Sequence, residues 1–438
     1  MNRTDATTAK ASLALAVVAA MLGACRADSA PEATASEESA EIIPHIITLP
    51  MQRGPMADYG ATPWYTDRIA LGKSPMRLAL DSGASFFWAT SDLCTTQACN
   101  AHARVDTGQP GFVWLDKTPT TRSFGPWGNM TTWTGAVPLY IDGGPWQAIP
   151  FFASVDYSGA KFQYLTWGGG VGLPSESADV TPGSGFLIEM LYFKGGIPSP
   201  EFSMLTEPWT GTGFTWLGGR GDPTYFDPRS EVQLQPKKAA IGYLWGTNLY
   251  SVRLGGTPLP PLAGQTFFLD SGSSRFKGDA QYVYPIMQPL SQLRDAQGNL
   301  IFTPTYDDAG NWVGLYYTNG RPSDYPNLPD LTLTLGQTCY LMPATSLVVT
   351  LSPEQYSYYV EEGDQAGKWA LGVHRLDGVG GLLVGSTFMD LLATRFTYRV
   401  SGSSLSQGDM YLYRKTQGVQ PKEFYCISME TGEMVAAP

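Results

Sequence analysis

Charged residues and histidines are scarce in this sequence. Of 438 residues, 28 are Lys or Arg, 39 are Asp or Glu and 3 are His, which gives a formal net charge of −11. An acidic chain offers no basic face to phosphates, so we expect no nucleic acid as a partner. None of the histidines has a ligand spacing with a cysteine pair, so we also expect no metal site.

Motifs of several other enzyme classes are missing. The chain has no Gly-x-Ser-x-Gly elbow of a serine hydrolase, and no Gly-x-Gly-x-x-Gly or Walker pattern between a strand and a helix. It has instead 49 glycines, 33 prolines and 12% aromatic residues, a composition that favours strands joined by turns. We therefore expect few and short helices, with the best candidate at Gly185–Gly195.

The first residues have the pattern of a targeting signal. Residues 11–21 are apolar but too few to span a bilayer as a helix. They lead into Leu-Gly-Ala-Cys at positions 22–25, which resembles the lipobox of bacterial lipoproteins. The resemblance implies a signal peptide over residues 1–25 and a lipid on Cys25. The alternative is an ordinary cleaved signal peptide with a chance cysteine.

The same resemblance bears on localisation. It implies an exported protein whose lipid anchors it to the membrane of the cell envelope. Arg26 follows the cysteine where an aspartate would retain a lipoprotein in the inner membrane, which favours the outer membrane of a double-membraned bacterium. Residues 26–45 are predicted to be a flexible acidic linker, because Ala, Ser, Glu and Pro provide too little apolar surface to fold.

A duplicated motif is the most informative feature of the chain. Residues 78–85 read LALDSGAS, and residues 267–274 read FFLDSGSS. Each copy is an apolar run typical of a buried strand, followed by Asp-Ser-Gly. A single Asp-Ser-Gly is common turn chemistry, but two copies in matched apolar context, one in each half, indicate a duplicated site. Its aspartates are Asp81 and Asp270.

Paired aspartates of this kind suit acid–base chemistry. Glycine lets each backbone turn sharply, so that the two carboxyl groups can meet across a pseudo-twofold axis. Two carboxyl groups at such a short distance share one proton and titrate as a pair. The ionised one can act as general base on a water, while the protonated one stabilises a developing oxyanion. This chemistry needs no metal and no organic cofactor.

The residues around both aspartates resemble the pepsin family. Residues 81–91 read DSGASFFWATS, which is similar to the family's D-T-G-S-S-N-L-W-V-P-S, with Trp88 at the family's tryptophan. Residues 169–174 and 382–386 resemble the two segments that complete the family's psi-shaped loops. The resemblance extends over roughly residues 46–430.

The resemblance implies an all-β, bilobal fold with a central active-site cleft. Two twisted, barrel-like lobes would share an interlobe sheet, with Asp81 in an N-terminal lobe at 46–222 and Asp270 in a C-terminal lobe at 223–438. The implied catalytic residues are Asp81 and Asp270. The implied supporting residues are Ser82, Gly83, Ser85, Ser271, Gly272, Ser273 and Ser274. The candidates for the flap and cleft are Trp88, Phe124, Gly125 and Trp127.

Some positions depart from the family pattern. Ser82 and Ser271 replace threonine but keep its hydroxyl, whereas Ala84 replaces a serine and loses one. Phe124 aligns with the tyrosine of the family's flap and lacks its hydroxyl, which the N–H of Trp127 would replace. The alternative is that this segment is a surface loop with aromatic residues packed beneath it.

Five cysteines are present, and four remain once Cys25 is set aside. An even number outside the cytoplasm indicates two disulfides, for which four cysteines allow three pairings. The short spacing of Cys94 and Cys99 favours Cys94–Cys99 with Cys339–Cys426.

The sequence therefore predicts an aspartic endopeptidase, a hydrolase acting on peptides or proteins, that prefers apolar residues at the scissile bond and exists as a monomer. The alternative is a pepsin-fold surface protein that is catalytically weak or inactive and binds peptides or proteins. The departures at Ala84 and Phe124 keep this alternative open.

Overall fold

A computed structural model describes residues 43–336, 338–339 and 342–435. The predicted signal peptide, the lipidation site at Cys25 and the linker up to residue 42 lie outside the described residues. The fold belongs to one compact unit that begins at Pro44.

Buried strands dominate the architecture, and their sequences explain why. Residues 331–335 read LTLTL and alternate between buried and half-buried positions, as expected for a strand with one face on the core. The strand Thr345–Leu351 is buried at every position, which suits a strand covered on both faces. The all-β prediction is confirmed.

One sheet is built from the first half of the chain. Its strands, in order across the sheet, are Ser74–Pro75, Ile69–Leu71, Asn129–Ile141, Gly144–Tyr157, Trp88–Thr90, Gly169–Gly172 and Leu78–Asp81, and Val113–Ser123 pairs with Asn129–Ile141.

The second half builds two sheets. The larger one runs Val373–Arg375, Phe276–Gly278, Leu382–Val384, Gln265–Leu269, Trp245–Leu254, Leu331–Leu335, Thr345–Leu351, Glu423–Ser428 and Met434–Val435, and Thr257–Pro258 pairs with Trp245–Leu254. The smaller one runs Phe302–Tyr306, Trp312–Tyr317, Trp369–Leu371 and Ser357–Tyr359.

A further sheet joins the two halves. Its strands are Trp64–Tyr65, Ile47–Arg53, Thr212–Leu217, Glu201–Glu207, Leu392–Ser401, Ser404–Arg414, Val232–Leu234, Thr338–Cys339 and Met342–Pro343. The halves meet where Glu201–Glu207 pairs with Leu392–Ser401. There the rings of Phe202 and Phe396 stack with centroids 4.6 Å apart and are fully buried. The predicted interlobe sheet is present, and it fixes one lobe against the other.

Helices are few in the described residues. The α-helices there are Gln97–Asn100, Leu187–Phe193, Ala280–Ser291 and Ser386–Met389, and the 3-10 helices are Gly125–Trp127, Ala160–Tyr164, Ser177–Asp179, Pro228–Ser230, Pro260–Leu262 and Pro322–Asp324. The helix predicted within Gly185–Gly195 is confirmed at Leu187–Phe193. Within the described ranges, none of the helices has the length and apolar character needed to cross a bilayer.

Ala280–Ser291, the longest helix in the part of the chain that the structure describes, was not predicted. It contains Pro285 and Pro289, each of which removes a backbone hydrogen bond and disfavours a helix interior. Five of its side chains are buried against the second lobe: Tyr282, Val283, Ile286, Met287 and Leu290. Their burial offsets the cost of the prolines, because tertiary packing rather than propensity supplies most helical stability in proteins.

Both predicted disulfides are present. Cys94–Cys99 closes a loop beside the first short helix, and Cys339–Cys426 links residues 87 positions apart in the second half. All four cysteines are completely buried. The pairing predicted from the spacing is confirmed.

Candidate active site

Two equivalent strands carry the paired aspartates. Leu78–Asp81 lies parallel to Gly169–Gly172, with Asp81 opposite Gly172, and Gln265–Leu269 lies parallel to Leu382–Val384. These are the two psi-type arrangements that the sequence predicted. Because each aspartate stands at the end of its buried strand, both carboxyl groups emerge at the same point between the lobes.

The structure brings the two carboxyl groups together over a pair of glycines. A Cβ atom on Gly83 would lie 2.3 Å from Asp270 Oδ1, and one on Gly272 would lie 2.1 Å from Asp81 Oδ1. Any side chain at either position would therefore push the opposite carboxyl group away. The backbone N–H groups of Gly83 and Gly272 donate to the Oδ1 atoms of Asp81 and Asp270 at 2.8 and 2.9 Å.

Serine hydroxyls lock the two strand ends to one another. The Ser82 hydroxyl donates to the Leu269 carbonyl at 3.1 Å and accepts from the Ser271 N–H at 2.9 Å. Symmetrically, the Ser271 hydroxyl donates to the Leu80 carbonyl at 2.6 Å and accepts from the Ser82 N–H at 2.9 Å. Four hydrogen bonds therefore cross between the lobes directly under the carboxyl groups.

The other predicted supporting serines have different partners. The Ser85 hydroxyl pairs with that of Thr181 at 2.8 Å. The Ser273 hydroxyl faces the Gly60 carbonyl at 3.4 Å, and the Ser274 hydroxyl is buried without a partner. The Ser85 and Ser273 hydroxyls therefore connect loops around the site, and the backbone N–H groups of Gly83 and Gly272 orient the carboxylates.

Burial dominates the ionisation of the pair. It raises the pKa of Asp81 well above its usual value, and the neighbouring Asp270 raises it further. Burial also raises the pKa of Asp270, against the charge of Lys277 and the hydrogen bond from Asp81, which lower it. Ionising both groups is therefore costly, and the arrangement favours one shared proton.

A hairpin extends over this site. Its strands pair Arg122 with Met130 and Ser123 with Asn129, and the 3-10 helix Gly125–Trp127 forms the tip. A Cβ atom on Gly125 would lie 3.6 Å from Leu376 Cδ1 in the second half of the chain, so the tip reaches across the cleft. The segment has the shape of a flap.

Aromatic side chains pack under this flap. The ring of Phe124 contacts Trp88 in an edge-to-face arrangement with centroids 5.1 Å apart, and it contacts Phe86 at 6.0 Å. Trp127 is buried and packs edge-to-face on Tyr59 at 5.2 Å. Phe124 therefore holds the flap to the first lobe through ring contacts, and Trp127 lies against a different part of the cleft wall.

The sequence profile of the eukaryotic aspartyl protease family matches residues 64–397, a range that includes both aspartates. The chain belongs to the aspartyl protease family. Among its relatives, mouse (Mus musculus) pepsin A-5 is 23% identical over 312 residues, which cover 69% of this chain and 74% of that protein. The mouse and rat (Rattus norvegicus) cathepsins E are 25% and 24% identical over 286 residues, which cover 64% of this chain and 67% of each relative.

This aspartyl protease homologue has charged and polar groups at the site that the sequence analysis missed. Lys277 lowers the pKa of both aspartates through its charge, and its own pKa is lowered to about 8 by burial. Tyr243 also lies close enough for both aspartates to raise its pKa, which reaches about 12 mainly through burial. Extending the alignment of the duplicated motifs would have found Lys277, because it follows Asp270 at the distance at which Trp88 follows Asp81.

The described part of the chain has no group of three or more His, Cys, Asp or Glu side chains arranged to hold a metal ion. The chemistry available at the site is that of two carboxyl groups, a nearby ammonium group and backbone donors.

Replacing Ser82 with alanine should destabilise the fold. Ser82 is fully buried, and the change removes one donor and one acceptor from the cross-lobe hydrogen bonds. We expect the free energy of unfolding to fall by about 1–3 kcal/mol, because the Ser271 N–H and the Leu269 carbonyl lose their partner. Denaturant unfolding measures this. Ser82→Thr keeps the hydroxyl and serves as control, and equal stability of the two variants would contradict the expectation.

Replacing Lys277 with methionine should move the pH profile of peptide hydrolysis. The positive charge of Lys277 lowers the pKa of Asp81 and of Asp270, so its removal raises both. Both the acidic and the basic limb of kcat/KM against pH should therefore shift to higher pH. The matched control is Lys238→Met, at a lysine whose side chain is 74% exposed. A shift to lower pH, or an equal shift in the control, would rule out this role of Lys277.

Proposed function

We propose that this protein is an aspartic endopeptidase in which Asp81 and Asp270 activate a water that attacks a peptide bond. The observation that carries the proposal is the geometry of the pair: two buried carboxyl groups lie against one another's glycine at the ends of equivalent strands. Membership of the aspartyl protease family supports the same reaction class.

The proposed mechanism uses the single proton of the pair. The ionised carboxylate removes a proton from a water, whose oxygen adds to the scissile carbonyl carbon. The protonated carboxyl group donates to the carbonyl oxygen and stabilises the charge that develops there. The pair then returns a proton to the leaving amine as the carbon–nitrogen bond breaks. The Gly83 and Gly272 N–H groups keep both carboxyl groups oriented through these steps.

The proposed substrate is an extended peptide that lies between the lobes under the flap. An extended segment in such a cleft is bound by backbone hydrogen bonds and by pockets for its side chains. The wall next to Asp81 consists of aromatic rings, where Phe124 contacts both Phe86 and Trp88. Trp88 is already buried, whereas Phe86 and Phe124 are half-buried. These two rings support the preference for an apolar residue at the scissile bond, because their exposed apolar surface would be buried on binding.

We also propose that the protein acts as a monomer anchored to the outer membrane through a lipid on Cys25. The support is the Leu-Gly-Ala-Cys sequence at positions 22–25 and the arginine that follows it. Cell fractionation tests this: Cys25→Ser should move the protein from the membrane fraction to the soluble fraction. Wild-type protein found only in the soluble fraction would contradict the anchor.

Replacing either aspartate with asparagine should greatly slow hydrolysis. Each change removes one member of the acid–base pair while keeping its size, and we expect kcat to fall by about 10²- to 10⁴-fold, the usual contribution of such groups. The measurement uses quenched fluorescent peptides from pH 3 to 7 on Asp81→Asn, Asp270→Asn and the control Asp67→Asn, whose side chain is 46% exposed. If both active-site variants cleave at the wild-type rate, the mechanism is wrong.

The same experiment separates the alternative of a pepsin-fold protein that only binds peptides. In that case the wild-type protein would bind the peptides without cleaving any of them. Ala84 and Phe124 are the departures from the family pattern that favour this alternative.

A further inference from the structure

The two walls of the cleft are equivalent in backbone and different in chemistry. Trp88 and Lys277 each lie seven residues after an active-site aspartate. Each lies in a short strand that pairs antiparallel with a strand of its own lobe. Trp88 lies opposite Gly170 of Gly169–Gly172, and Lys277 lies opposite Leu383 of Leu382–Val384. The duplication therefore places an ammonium group in the second lobe where the first lobe has an indole.

The surroundings differ in the same way. The ring contacts of Trp88 include Phe124, with centroids 5.1 Å apart, and Trp167, with centroids 5.9 Å apart. Lys277 has Arg275 two residues before it and lies opposite His374 in the neighbouring strand. The first wall is mainly aromatic, with the Arg122 guanidinium stacked over the Phe86 ring at 5.1 Å, and the second carries Lys277, Arg275 and His374.

The charge of Arg275 is already paired with a carboxylate of the protein. Its side chain is 3% exposed, lies 3.5 Å from the Asp58 carboxylate and covers the Tyr358 ring at 4.8 Å. Burial and the nearby charges of Arg275 and Lys277 hold the pKa of His374 well below its usual value, which disfavours the charged form of this imidazole. The remaining positive charge on this wall is that of Lys277.

The ammonium group of Lys277 has hydrogen-bonding capacity to spare. Its Nζ donates to the Gly60 carbonyl at 2.8 Å, which uses one of three N–H donors. Among residues 43–336, 338–339 and 342–435, no carboxylate lies within 4.0 Å of it as an ion-pair partner. Gly60 accepts from the Ser274 N–H at 3.0 Å, so the ammonium group stands beside the loop that carries Asp270.

We propose that Lys277 determines specificity in the cleft by binding an Asp or Glu side chain of the substrate close to the scissile bond. The proposal rests on the proposed peptidase function and adds a substrate class to it. The Lys277 residue is half-buried and not fully enclosed. The proposal requires a substrate carboxylate to reach its ammonium group, which is buried enough to lower its pKa. A carboxylate there forms a charge-assisted hydrogen bond, whereas an apolar side chain would cover an ammonium group without replacing its lost hydration.

Lys277 thus adds a requirement to the apolar preference proposed above. The preferred substrate has an apolar residue against the half-buried rings of Phe86 and Phe124, and an acidic residue directed at Lys277. The net charge of −11 does not oppose this, because at about 0.15 M salt charges more than about 8 Å apart are largely screened.

Matched pairs of peptides test the proposal. Each pair differs only in Glu or Gln at one of the three positions on either side of the scissile bond, and kcat/KM is measured at about pH 5.5, above the usual glutamate pKa of about 4.3. The wild-type protein should prefer Glu at one position by about tenfold, the size of one charge-assisted hydrogen bond. At about pH 3.5, where the glutamate is mostly protonated, the preference should fall towards one.

Variants at position 277 assign the preference to this side chain. Lys277→Met should bring the Glu/Gln ratio to one, Lys277→Arg should keep it above one, and Lys277→Glu should favour Lys over Gln at the same position. Lys238→Met, at an exposed lysine, should behave as wild type. The ratio compares two peptides cut by the same protein, so a change in the pKa of the aspartates cancels.

Two results would overturn the proposal: a Glu/Gln ratio of one at all six positions in the wild-type protein, or a Glu preference that persists in Lys277→Met. The first result needs no variant and so does not depend on whether a variant folds. Failure of the peptidase function looks different, because the wild-type protein would then cleave neither member of any pair.

Discussion

Two carboxyl groups buried side by side repel one another when ionised, so only a stiff framework can hold them in contact. Here that framework is the exchange of hydrogen bonds between Ser82 and Ser271, whose hydroxyls and N–H groups connect the two lobes directly beneath the aspartates. Gly83 and Gly272 are required by the same contact, because a Cβ atom at either position would displace the opposite carboxyl group. The parallel strand pairs that end at the aspartates and the interlobe sheet support this contact between the two carboxyl groups.

The duplicated framework carries two unlike walls. On the first lobe, Phe124 of the flap packs on Trp88, and on the second lobe Lys277 occupies the position equivalent to Trp88. A backbone that must be symmetric to bring two aspartates together thus leaves the side chains beyond them free to differ. In the proposed function, this division lets one half of the cleft bind an apolar side chain of the substrate and the other half bind a charged one.

The sequence was informative where a structural feature is determined by residues that are close together in the chain. The buried strand before Asp-Ser-Gly, the spacing of Cys94 and Cys99 and the apolar run at Leu187–Phe193 each depend on neighbouring residues, and each led to a correct structural prediction. Features that depend on tertiary contacts were missed. The prolines in Ala280–Ser291 concealed a helix that packing stabilises, and nothing near Ser85 indicates that its hydroxyl pairs with Thr181. Lys277 is a different case, because its relation to the aspartates is visible in the sequence once the duplicated motifs are aligned beyond Asp-Ser-Gly.

The proposed mechanism depends most on Asp81 and Asp270 titrating as one unit. The direct measurement is an NMR titration of the protein labelled with ¹³C at the aspartate carboxyl groups, with Asp81→Asn and Asp270→Asn used to assign the two signals. Two coupled steps are predicted in the wild-type protein, with a range of pH between them in which the pair holds one proton, and a single step in each variant. Two independent titrations in the wild-type protein, each unchanged when the other aspartate is replaced, would contradict the proposed mechanism.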